Sequence, residues 1–99
     1  MQAKRQPKPK RKKPVRLASK LLEIRLRLEL SQGDMLRGLG LDDELERDYI
    51  SKYERGVLEP PLYILLRYAR RVGISTDVLI DDEMDLPAKL PSKPKHTRP

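Results

Sequence analysis

Ninety-nine residues, of which 37% are apolar and 37% charged, suffice for one small domain near the lower limit of what folds unaided. There is no cysteine, which excludes disulfides and thiolate metal sites, and the longest apolar run, residues 62–66, is too short for a membrane span or a signal-peptide core. The net charge of +7 is unevenly placed: residues 1–16 hold eight Lys or Arg and 87–99 four, with no acid in either stretch, whereas 17–86 hold ten bases and fifteen acids.

At the N-terminal end, residues 6–14 read QPKPKRKKP, where repeated Pro removes helix hydrogen bonds and Lys repulsion opposes compaction. A disordered basic tail is expected over 1–16, serving either as a solubilising segment or as an arm that tracks DNA phosphates. From residue 17 the pattern turns helical. Leu17, Leu21, Ile24 and Leu28 fall at i, i+4, i+7 and i+11, an apolar stripe along a first helix. Leu22 and Leu26, one turn apart, lie off that stripe and should be partly exposed. They form either a partner surface, with a homodimer as the candidate, or a patch covered by a tail or loop. Ser31 is placed to cap a short second helix, with Asp34 at its third position, Leu36 and Leu39 on its buried side and Gly40 ending it. Asp42 or Asp43 can cap a third helix that runs to Arg55 and closes at Gly56.

Pro60-Pro61 start a fourth helix, with Leu62, Leu65, Leu66, Ala69 and Val72 facing inward and Gly73 ending it. Ser75 caps a last short helix carrying Val78 and Leu79. Asp81, Asp82, Glu83 and Asp85 lack the ligand spacing of a calcium loop and read as that helix's charged end. Residues 90–99, LPSKPKHTRP, repeat the Pro/Lys composition, so 83–99 reads as a second disordered tail. No strand-like alternation occurs. The expected fold is all-α, with five helices in one domain spanning 17–82.

No catalytic constellation is present in the sequence. It has no thiol, no His-Glu-x-x-His spacing and no glycine-rich phosphate loop, and its one histidine, His96, stands in the C-terminal tail as a solvated residue. The expectation is a non-enzymatic cytoplasmic protein with no cofactor, no metal and no evident small-molecule substrate.

Several pieces in order carry a resemblance: Arg25 in the first helix, Leu30-Ser31-Gln32, Ile50-Ser51-Lys52-Tyr53-Glu54-Arg55-Gly56, Pro60 with Leu65-Leu66, and Val72-Gly73-Ile74-Ser75. Together they resemble the phage-repressor and Cro-like regulators known as the XRE family, over roughly residues 17–82. The resemblance implies a helix-turn-helix whose third helix lies in the major groove of double-stranded DNA. Ser31 and Gln32, opening the second helix, would meet a phosphate. Arg47, Asp48 and Lys52 would occupy base-reading positions, with Tyr49 and Ser51 beside them, and Arg55 would clamp a phosphate. Arg and Lys suit guanine O6 and N7. Arg25 and Glu54 match a structural ion pair joining the first and third helices, and Tyr53 and Tyr68 stand where the family places core residues. The protein would then be a transcriptional regulator, nucleoid-associated when bound to DNA.

The chain departs from the family pattern in two places. Residues 41–46 include an insertion of four, rich in acid, so either the third helix starts a turn early or the turn is longer. Five acids, Asp42, Asp43, Glu44, Glu46 and Asp48, are then expected around that helix's opening. Glu29 replaces the glycine that often ends the first helix. The acids favour an alternative function, a protein-interaction or antitoxin-like module in which only the tails bind nucleic acid.

Overall fold

The computed structural model describes residues 13–91, and these form five helices with no strand. The helices are α1 (Leu17–Arg27), α2 (Gln32–Gly38), α3 (Asp48–Glu54), α4 (Leu62–Val72) and α5 (Thr76–Ile80). Helix α1 packs against α3 and α5, α2 against α3, and α4 against α5. The all-α, five-helix expectation holds. His96 and the outer parts of both basic tails, 1–12 and 92–99, lie outside the described residues.

The apolar stripe of α1 is buried as its spacing predicts: Leu17, Leu21, Ile24 and Leu28 are each at most 4% exposed. Ser31 caps α2, its Oγ accepting a hydrogen bond from the Asp34 backbone N–H at 3.0 Å. Ser75 caps α5 by accepting from the Asp77 N–H at 3.0 Å. Chain reversals after α1 and α2 share one geometry. The N–H of Leu30 reaches Arg25 O and that of Leu41 reaches Leu36 O, with Glu29 and Gly40 at positive φ in between. Glu29 takes φ 60, the left-handed conformation that a glycine would adopt without strain. At the end of α4, Gly73 takes φ 79, and a Cβ there would stand 3.1 Å from Pro91 Cβ.

Three expectations are corrected. The third helix begins at Asp48, not at Asp42 or Asp43, and residues 42–44 form a turn. The four-residue insertion therefore lengthens the turn instead of adding a helical turn, because Gly40 directs Leu41 into the core, where it is fully buried. The amide of Leu45 then closes back on Leu41 O.

On α4 the inward residues are Ile64, Leu65, Tyr68, Ala69 and Val72, whereas Leu62 is 82% exposed and Leu66 faces outward. Burial of Tyr68 and Val72 sets the rotation of the helix and puts Leu62 and Leu66, at i and i+4, on the outer face.

The ordered chain also runs beyond residue 82. Leu86 joins the core, Leu90 packs on it, and Arg27 Nη1 donates to Pro87 O at 2.6 Å. Asp81 is the C-cap residue of α5, but Asp82, Glu83 and Asp85 lie beyond the helix. Asp82 accepts from the backbone N–H groups of Val15 and Arg16, both at 3.0 Å, and so caps α1 from the far end of the sequence.

Candidate nucleic-acid interface

Helix α3 is held from its inner side. Ile50, Tyr53 and Glu54 are buried, and Glu54 would be an unpaired buried charge without a partner. Arg25 supplies it with a two-pronged contact, Nε to Oε2 at 2.7 Å and Nη2 to Oε1 at 3.0 Å. Its remaining nitrogen, Nη1, donates to Leu30 O at 3.0 Å and so ties the entry to α2 into the same cluster. The hydrogen bond to Glu54 holds the Arg25 guanidinium above its ordinary pKa. Gln32 Nε2 reaches Glu54 Oε1 at 3.4 Å. The sequence-level ion pair is thus present and joins α1, α2 and α3.

The outer side of α3 collects the other singled-out residues. Asp48, Ser51, Lys52 and Arg55 follow one another at helical spacing, with Arg47 just ahead as the N-cap residue. Arg47, Asp48 and Arg55 are exposed, and Ser51, Lys52 and Tyr49 are half-buried. Side chains on this face order one another. Lys52 Nζ lies 3.6 Å from Asp48 Oδ2 and 5.1 Å from the centre of the Tyr49 ring, and Arg55 Nε donates to Ser51 Oγ at 2.9 Å. Tyr49 also leans on Tyr53, with ring centres 6.3 Å apart. This face therefore presents three bases against one acid, and that acid is already paired with Lys52.

Of the five acids expected at the opening of the third helix, four lie elsewhere. Asp42, Asp43, Glu44 and Glu46 are exposed in the preceding turn, and only Asp48 belongs to the first turn of α3. That turn is pinned from α4, where Arg67 Nη1 donates to Leu39 O at 2.9 Å and to Gly40 O at 3.2 Å. Ser31 and Gln32 stand beside α3 through the Glu54 contact, with the Ser31 hydroxyl engaged as a cap. Leu22 is half-buried and Leu26 is 57% exposed on α1.

Two polar anchors went unread in the sequence. Lys20 is buried, and its Nζ donates to Val78 O at 2.7 Å and Asp81 O at 2.9 Å, fastening α1 to the end of α5. Burial, followed by the neighbouring Arg16, lowers its pKa. A signal was available: position 20 falls on the same apolar face as Leu17, Leu21 and Ile24. The second anchor, Arg16, donates to Asp82 O at 2.7 Å and to Asp85 Oδ1 at 2.7 Å, a pairing across the whole chain that no local pattern announces.

Among the described residues, no helix is long and apolar enough to cross a membrane, and no group of three or more His, Cys, Asp or Glu could hold a metal ion. Compared with protein-family models the chain matches none, and no curated protein matches it.

Proposed function

We propose that this protein is a DNA-binding transcriptional regulator of the XRE, phage-repressor-like kind, with α2 and α3 as its helix-turn-helix and α3 entering the major groove. The observation that carries the reading is the outer face of α3, where Arg47, Ser51, Lys52 and Arg55 share one side of a helix whose other side is anchored by Glu54 and Arg25. A recognition helix needs this combination, because base edges can be read only by side chains whose backbone does not move. Arg47 and Lys52 suit guanine O6 and N7. Arg55, one turn beyond Ser51, suits a backbone phosphate. The basic stretches at either end of the sequence add affinity without sequence preference.

The displacement of four acids into the turn supports the same reading, since it leaves the outer face of α3, with the flanking Arg47 and Arg55, carrying three bases against Asp48 alone. Those acids, exposed beside α3, also favour the second reading, a protein-interaction module whose tails alone bind nucleic acid. Fluorescence anisotropy on labelled duplex DNA separates the two. In the regulator, Lys52→Ala combined with Arg55→Ala weakens binding by the full chain tenfold or more. In the interaction module, the double variant binds as tightly as the parent.

A further inference from the structure

Asp48 is the acid on the outer face of α3. An acid in a first turn favours the helix dipole anywhere on the circumference. Here it stands on the side shared with Ser51, Lys52 and Arg55, where phosphate repulsion counts against it. Neither member of the Asp48–Lys52 pair is used up by the other. At 3.6 Å, Nζ and Oδ2 attract each other but lie beyond hydrogen-bonding distance. Among the described residues the Asp48 carboxylate accepts no hydrogen bond and the Lys52 ammonium donates none. Their side chains are 58% and 39% exposed. The Tyr49 ring, 5.1 Å from Nζ, holds the ammonium beside the carboxylate. Helix α3 therefore presents an acceptor and a donor side by side, both with their hydrogen-bonding capacity intact. Arg55, by contrast, is already tied through Nε to Ser51 Oγ.

The base edges of the major groove decide what such a pair fits. A carboxylate only accepts, so guanine N7 and O6 and thymine O4 repel it, whereas cytosine N4 and adenine N6 donate to it. A G·C pair separates its functions across the groove, with two acceptors on guanine and then the cytosine donor. Lysine over O6 and N7, with aspartate over N4, matches that order. An A·T pair alternates them: N7 acceptor, N6 donor, O4 acceptor. An acid over adenine N6 has an acceptor on either flank, and one ammonium cannot cover both.

We infer that Asp48 and Lys52 together read one G·C pair, Lys52 donating to guanine and Asp48 accepting from cytosine N4. The inference rests on the DNA-binding reading and adds to it the base pair that α3 selects. Selection from a randomised duplex pool by the 99-residue chain, then anisotropy titration of the enriched sequence and its single-pair variants, tests it. The parent enriches a motif with an obligatory G·C pair, and changing that pair to A·T weakens binding at least fivefold. Asp48→Ala loses the preference at this pair alone. It binds random duplex as tightly as the parent or more tightly, since an acid has left the groove. Asp48→Asn moves the preference from cytosine toward adenine, whose N6 and N7 an amide meets with both of its groups. A purely structural acid would give no such switch. Circular dichroism of each variant confirms the fold. A motif without an obligatory G·C pair, or one whose base preferences all survive Asp48→Ala, overturns the inference and leaves the DNA-binding reading standing. A pool that stays random overturns both together.

Discussion

At Glu29 the backbone is left-handed in a residue that has a Cβ, a conformation that costs about 1 kcal/mol relative to glycine. Glu29→Gly should therefore raise the unfolding free energy by about 0.5–1 kcal/mol in urea, the gain reduced by the greater freedom of glycine in the unfolded chain. An unchanged or lower stability would mean that the Glu29 side chain supplies a contact worth as much as the strain. Tyr68 presents the opposite case. It is fully buried, and among the described residues its hydroxyl has no hydrogen-bond partner. Burial, followed by the Glu54 charge, raises its pKa far above that of a free phenol. Tyr68→Phe removes a desolvated group without opening a cavity, so the melting temperature should hold or rise. A loss of more than about 1 kcal/mol would show that the hydroxyl is satisfied in solution. The Arg25–Glu54 pair is a third residue-scale feature: Arg25→Met should cost about 3 kcal/mol because it strands a carboxylate that is only 4% exposed.

Between elements, caps and helix phases position the chain. Helix starts at Ser31 and Ser75 and the reversals at Gly40, Gly56 and Gly73 were legible because local chemistry decides them. The stripe of α1 was legible because four apolar residues repeat at helical spacing. The phase of α4 was not, since its two apolar faces leave the direction of the core undecided until the packing of Tyr68 and Val72 decides it. The start of α3 was misplaced for a similar reason: acids at 42–44 make good caps, but burial of Leu41 commits those residues to a turn first.

Helix α1 begins without a side-chain cap of its own at Arg16 and relies on Asp82, which sequence position could not reveal. The two backbone donors hold the Asp82 carboxyl below the usual carboxylate pKa. A depressed carboxyl pKa means that the unfolded chain takes up the proton first as pH falls. The contribution of Asp82 is therefore complete above the free carboxylate pKa and is lost as pH drops through the folded value. Asp82→Ala should lower stability at neutral pH and flatten the acid limb of the stability–pH curve. Parallel acid limbs for the parent and the variant would show that Asp82 is not the titrating cap.

Over the whole molecule, charge is segregated three ways, into basic ends, an acidic interior stretch and a cationic outer face on α3. The candidate site was readable as a set, because motif spacing placed Arg47, Asp48, Ser51, Lys52 and Arg55 together and Arg25 opposite Glu54. The relation of the acids to α3 was not readable, because it depends on where the inserted residues go. Selection of bound duplexes from a randomised DNA pool by the 99-residue chain asks whether α3 reads sequence, at a salt concentration high enough to suppress binding through the tails. One enriched motif is expected, with Arg47→Ala losing about 1–3 kcal/mol on it and relaxing the choice of base at one position. A pool that stays random, with retention that vanishes as salt rises, would contradict it and assign all nucleic-acid binding to the basic ends of the chain.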